Sequence, residues 1–431
     1  MVQWSTQRNN YLRNNDEIYE VQMSVPGPTG FITKGNLNTG SDAFGRLRVS
    51  DSYTIFDSSF RYTDNSTKWS TKLTGTSSTS YQTNQGLMGL TVGTSSGDEV
   101  IRQTKKIFPY QPGKSLLTMN TFTFSSPKEN LRQRVGYFTE TNGIYLEVDG
   151  TETYIVLRSN VTGTVVDTRI PQSSWNVDRL DRTGYSDIKL DMTKSHIFWS
   201  DVEWLGVGSV RCGFVINGQF VIAHIFHHAN NITGTYMTTA SLSCRYEITN
   251  TGATSSASTL KQICSTVMSE GGYDQMGLTR SISTPLTGIN LTNGVNNPII
   301  SIRLRSGRTE AVAVPTEINL YGIQATAYNF KLIQGGTITG GTWTLVDSES
   351  SVEYNQTATT LTGGKILQEG LFKGQSTVEP MILSDIFNGA LQLSRGIIEA
   401  DSVGDLLTLT VTPTTNNDDV VASMSWHEKT A

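Results

Sequence analysis

Apolar and polar positions alternate with a period of two along most of this chain, in short runs closed by Gly, Asn, Asp or Ser, which predicts strand after strand. The segment "GIYLEVDGTETYIVLRS" (143–159) is two such runs joined at Asp149-Gly150, the signature of a β-hairpin with a type I′ turn. "VRCGFVINGQFVIAHIFHH" (210–228) repeats the device at Asn217-Gly218. There Cys212, Phe214 and Ile216 alternate on one strand and Phe220, Ile222, His224 and Phe226 on the next. Apolar residues also fill the intervening positions, so both strands are expected near the centre of a sheet, covered on both sides.

"TGATSSAS" (251–258) reads as a surface loop, and residues 271–298, rich in turn formers, as a connector. Beyond it "IISIRLRSG", "EINLYGIQATAYNFKLIQGG", "TWTLVD", "LLTLTVTP" and "VVASMSWHE" are further strands. The stretch "MILSDIFNGALQLSRGI" (381–397) suits a short helix as well as a strand. Residues 1–43 keep neither period, yet Trp4, Tyr11, Ile18, Tyr19 and Val21 are too frequent for a purely solvated tail, so they read as an arm that docks on something. The expected fold is all-β: two β-sandwich domains of jelly-roll or concanavalin-like type with an extended N-terminal arm. The divisions are 1–49 for the arm, 50–284 for a larger sandwich and 285–431 for a smaller one. No internal repeat or heptad is present, which argues against a fibrous shaft.

Composition agrees with that fold. Of 431 residues, 40 are Gly and only 16% are charged, with Ser and Thr abundant, a mixture that disfavours helices. The net charge of -5 and the scattered basic residues provide no footprint for a nucleic-acid backbone, so protein or sugar partners are expected. No window approaches the ~18 apolar residues of a bilayer span, and "MVQWSTQRNNYLRNN" has no apolar export signal, so synthesis in a cytosol is expected. Sites such as Asn160 and Asn231 then imply no glycosylation. Cys212, Cys244 and Cys264 are widely spaced, with no C-x-x-C, and read as buried thiols.

Chemistry is sparse. In "HIFWSDVEWLGVG", Asp201 and Glu203 would share one face of a strand beside Trp199 and Trp204, a pattern that could hydrolyse a sugar if the carboxylates stood ~5 to 9.5 Å apart. The familiar third acid of sandwich glycosidases is missing, however. His224, His227 and His228 resemble a metal cluster, but His224 and His228 would lie roughly 13 Å apart on a strand, too far for one ion. They are read as a hydrogen-bonded strand end. The glycines of "GLMGLTVGTSSGDEV" precede no Gly-Lys-[Ser/Thr], and no G-x-S-x-G elbow occurs. No enzyme, metal or cofactor is expected. Tyr81, Tyr110, Trp175, Tyr185 and Tyr273, scattered among polar loops, could stack on sugars or pack on a neighbouring subunit.

Three blocks, "DAFGRLRVSDSYTIFDSSFRY" (42–62), "WLGVGSVRCGFVINGQF" (204–220) and "ICSTVMSEGGYD" (263–274), resemble a family of virion structural proteins of tailed phages of marine bacteria, notably cyanophages. The resemblance spans roughly 40–284 and implies a virion component made in the host cytoplasm, with other virion proteins as partners and no catalytic residues. Symmetric particle positions then lead us to expect a homo-oligomer, a trimer or a ring, in a tail, collar or fibre-associated place, or as capsid decoration. Phe44, Arg46, Leu47 and Arg48 would dock the arm on its own domain or an adjacent subunit, Arg supplying forked hydrogen bonds; alternatively Phe44, Leu47 and Val49 would simply be the first core strand. The alternatives are a carbohydrate-binding adhesin for a host surface glycan and a glycan depolymerase using Asp201 and Glu203.

Overall fold

In the computed structural model the described residues are 26–27, 30–31, 51–274, 277–308, 311–376, 380–383, 393 and 406–429. The chain divides into a unit Met1–Asp51 and a unit Ser52–Ala431. In the first, Pro26–Gly27 pairs with Gly30–Phe31. Phe44, Arg46, Leu47, Arg48 and Val49 lie outside the described residues.

The second unit is all-β among its described residues, apart from one 3-10 turn at Gln172–Ser174 and the helical residue Leu383, and is built from two hydrophobic cores between antiparallel sheets. In the N-terminal sandwich a seven-stranded sheet runs in the order Val166–Pro171, Glu152–Ser159, Gly143–Asp149, Leu131–Phe138, Cys244–Asn250, Glu99–Thr104 and Trp69–Thr74. It faces an eight-stranded sheet in the order Gln219–Phe226, Val210–Ile216, Ser195–Val202, Ser115–Thr123, Ser258–Glu270, Leu87–Val92 and Ser78–Gln82, with Ser52–Ser59 also paired to Ser258–Glu270. Alternation decides what faces the core. On Gly143–Asp149, Ile144, Leu146 and Val148 point inward to meet Phe122, Phe198 and Phe214 of the other sheet. Tyr246 spans the gap, its hydroxyl 2.9 Å from Ser265 Oγ and donating to the Cys264 carbonyl at 3.0 Å.

The outer face of the seven-stranded sheet is sealed by its own charges. Arg134 donates to Glu147 at 2.6 Å and to Glu247 at 3.1 Å, and Arg245 donates to Glu247 at 2.9 Å. The guanidiniums of Arg134 and Arg158 lie over the Tyr145 ring. Burial alone would raise the pKa of Glu247, but Arg245, Arg134 and Arg132 outweigh it and hold the carboxyl at about 2.

The second core lies between a five-stranded and a six-stranded sheet. Its longest strand, Asp418–Lys429, alternates buried and half-buried residues without interruption and carries Val420, Ala422, Met424 and Trp426 into the core.

Three expectations change. The connector 271–298 contains strands Leu278–Ser283 and Ile289–Leu291, both paired with Asp418–Lys429, so these turn-rich residues belong to the second pair of sheets. Hydrogen bonding to a long regular strand overrides their weak local pattern. Gln219–Phe226 is an edge strand rather than a central one, with Phe220 52% exposed. Its register shifts at Cys212/Gly213, where Ala223 is the extra residue, so Val221 faces the core before the bulge and Phe226 after it. The two hairpins also differ. Asn217 and Gly218 both have positive φ, as type I′ requires, whereas at 150–151 only Gly150 does, the sign pattern of type II′. Most of 381–397 lies outside the described residues; among those described, Met381–Ile382 is a strand, Leu383 is helical and Leu393 bridges to Ala313.

Candidate functional site

Two regions gather the residues singled out by sequence. The first is the joint where the sandwiches meet. Ser52–Ser59 pairs with Ser258–Glu270, which places Tyr53 against Tyr273, their rings stacked 5.6 Å apart and inclined by 12°. Lys429, at the end of the C-terminal strand, sits 4.4 Å above the Tyr273 ring and donates to its hydroxyl at 2.7 Å. Nearby, Ile107 packs on Val312 and Val314. The segment 105–114 ties this joint to the 203–209 turn: Tyr110 packs edge-on to Trp204 at 5.9 Å and accepts the Trp204 N–H, while Gln111 accepts the Asp274 N–H at 3.1 Å. Burial lowers both Lys106 and Lys429 to about 8, with repulsion from Lys68 adding to it at Lys106 and repulsion from Lys106 at Lys429.

The second region is the outer face of the eight-stranded sheet. On Ser195–Val202, Phe198 and Val202 enter the core, so Trp199 and Asp201 point outward. Asp201 lies in register with Arg211 and forms an ion pair with it. Burial raises the pKa of Asp201, and Arg211 offsets part of that rise. Ser115 donates to Glu270 at 2.8 Å one strand further on, close enough for Glu270 to act on Asp201 electrostatically. Phe220 meets the Trp199 ring edge-on at 5.4 Å. Gly213 gives the indole its place, because a Cβ there would come within 2.9 Å of Trp199 Cζ2. Two buried polar atoms on this face have no hydrogen-bond partner, Trp199 Nε1 and Asp201 Oδ1.

The sequence-predicted residues divide accordingly. Asp201 and Glu203 do not share a strand face: the strand ends at Val202, and Glu203 lies in the turn, where its carboxylate accepts the Ser209 N–H at 3.2 Å. His224 accepts the Asn176 N–H, His228 stacks on Tyr236 at 3.9 Å, and His227 is exposed. Among the described residues no group of His, Cys, Asp and Glu is placed to hold a metal. Trp175 is buried, with its indole N–H donating to the Ile170 carbonyl at 3.2 Å, and Tyr110 and Tyr273 are part of the joint. Tyr81 is half-buried and Tyr185 stands 72% exposed. Sequence reasoning missed Phe220, Arg211, Ser115 and Glu270 as surface groups. Only the register with Asp201 and the bulge could have found them, and neither is a local pattern.

Neither a protein-family model nor a curated protein matches the sequence. Among solved structures the chain is similar to a protein of unknown function from Shewanella oneidensis MR-1, with a TM-score of 0.36 and 9% identity over 54% of this chain and 91% of that one. It is similar to a β-1,3-1,4-glucanase (lichenase) derived from a mouse hindgut metagenome, with a TM-score of 0.32 and 10% identity over 51% of this chain and 100% of that one. It is also similar to the CBM2 module of the evolved Dit of Lactobacillus casei BL23 phage J-1, with a TM-score of 0.31 and 6% identity over 53% of this chain and 100% of that one.

Proposed function

We propose that this chain is a non-enzymatic structural component of a tailed-phage particle, in a tail, collar or fibre-associated position, acting by symmetric self-assembly with other virion proteins. One observation carries the reading. The described parts of the three blocks that resemble phage virion proteins are knit together at one place: strand Ser52–Ser59 on strand Ser258–Glu270, Tyr53 on Tyr273, and the 203–209 turn linked to Asp274 through Tyr110 and Gln111. What they build there is a joint of stacked rings, a cation over a ring and paired amides, which fixes geometry between two sandwiches. Light scattering on the full-length chain at increasing concentration tests the assembly half of this reading. A discrete trimer or ring supports it, and a monomer at every concentration contradicts it.

A second reading, recognition of a host surface glycan, is favoured by the outer face of the eight-stranded sheet, where a half-exposed aromatic ring adjoins unpaired buried polar atoms. A glycan depolymerase using Asp201 and Glu203 finds less support, since the one carboxylate is engaged by Arg211 and the other by a turn amide.

A further inference from the structure

We propose that the outer face of the eight-stranded sheet binds a neutral oligosaccharide, with Phe220 as the stacking surface and Trp199 Nε1 and Asp201 Oδ1 as hydrogen-bonding partners of sugar hydroxyls. This rests on the glycan reading above and gives it a location and a ligand class.

The starting point is a pair of atoms the fold leaves unsatisfied. Trp199 and Asp201 are 3% and 5% exposed, yet the indole N–H has no acceptor and one carboxylate oxygen has no donor. A buried group left in that state costs roughly 1–3 kcal/mol, so each such atom asks for a partner. The two are of opposite polarity, two residues apart on one strand, and project from the same face. A sugar hydroxyl both donates and accepts, so neighbouring hydroxyls of one pyranose ring can serve an N–H and a carboxylate together.

The surroundings fit the rest of a pyranoside. Phe220 lies on the edge strand, two residues after Gly218 of the two-residue turn and 52% exposed, and touches Trp199 only edge-on. Rotation of Phe220 about its side-chain bonds would free the part of the indole that it meets and present a ring face to the C–H groups of a sugar. Arg211, half-exposed, holds the second Asp201 oxygen and fixes the carboxylate. Met119, opposite Trp199 on Ser115–Thr123, continues the apolar floor. Charge selects the class of sugar. Asp201, paired with Arg211, has the carboxylate of Glu270 near enough to act on it, so the face carries two carboxylates against one guanidinium, and uronates, sialates and sulfated sugars are repelled while neutral ones are not.

The test is titration of the full-length protein with cellohexaose, maltohexaose and hexagalacturonate, followed by calorimetry and tryptophan fluorescence, backed by an array of neutral oligosaccharides. Saturable binding of a neutral oligosaccharide is expected, with at least a tenfold loss of affinity in Phe220→Ala and in Trp199→Phe, which removes the indole N–H, and no loss in the distant Tyr185→Ala. Because Trp199 is buried, its variant counts only if its thermal midpoint matches the parent; exposed Phe220 supplies the test if it does not. Absence of binding to every neutral oligosaccharide, binding unchanged by Phe220→Ala, or tighter binding of hexagalacturonate would each overturn the proposal. None of these results bears on whether the chain is part of a particle, which is read from the particle itself.

Discussion

Tyr53 and Tyr273 stack face to face across the strand pair Ser52–Ser59 and Ser258–Glu270, and Lys429 of the C-terminal strand caps the same Tyr273 ring from the second sandwich. One aromatic side chain thereby receives a contact from each of the two cores. Tyr273→Ala should lower stability by about 2 kcal/mol, through lost ring contact and a lysine left without its hydroxyl acceptor, whereas Tyr273→Phe should cost about 1 kcal/mol. Urea unfolding of both variants provides the comparison. Equal losses would show that the hydroxyl alone matters.

The joint should also be sensitive to alkali. Lys106 and Lys429 are lowered to about 8 from 10.5, so below pH 8 both the folded and unfolded chains hold these protons and the full penalty applies. Between pH 8 and about 9 the folded chain has released lysine protons that the unfolded chain retains, so stability should climb with pH. Above about pH 9 the trend reverses, because burial raises the thiols of Cys212, Cys244 and Cys264 above 9.0 and Tyr273 to about 12, so the folded chain holds protons that the unfolded chain releases. Lys106→Met should raise the urea midpoint at pH 7 and flatten the climb. A parent protein that loses stability steadily from pH 7 to 9 would refute the assignment.

Acid acts on the opposite sheet. Glu247 is held at about 2 against an ordinary 4.5 by the three arginines around it, so its stabilising effect is complete above pH 4.5 and lost as pH falls through about 2. Glu247→Gln removes the buried counterion that these three arginines share, leaving Glu147 to Arg134 alone among them, and should cost about 3 kcal/mol at pH 7 while shallowing the acid transition. Circular dichroism against pH on both proteins checks the sign and the slope.

The turn after Val202 stores strain. Leu205 has φ 36° and a side chain 54% exposed, so its backbone is in a region that favours glycine while its side chain gains little from burial. Leu205→Gly should therefore stabilise the free chain by about 1 kcal/mol, seen as a higher thermal midpoint, in contrast to the ordinary cost of removing a leucine. A lower midpoint would mean that Leu205 packs more than its exposure indicates.

The sheet architecture was legible because alternation is local. Ile144, Leu146 and Val148, or Val420, Ala422, Met424 and Trp426, announce their core face in a single line of sequence. Position within a sheet was not legible. Phe220 reads like a core residue, and only the bulge opposite Cys212/Gly213 and the place of its strand at the edge turn it outward. The contacts of Arg134 with Glu147 and Glu247, the second of them 113 residues away, are equally silent, as is the pairing of Leu278–Ser283 with the C-terminal strand. At the candidate site, Trp199 and Asp201 stood out as an aromatic–acid alternation. Glu203 was assigned the wrong neighbourhood because nothing local marks Val202 as the end of its strand.

Membership of a particle is tested most directly by purifying the phage whose genome encodes this chain, then analysing the particles by quantitative mass spectrometry and labelling them for electron microscopy with an antibody against residues 52–429. A virion component is present in a fixed number of copies and marks one symmetric position at the tail, collar or fibres. Particles that lack the chain, with all of it left in the soluble lysate, would contradict the structural role.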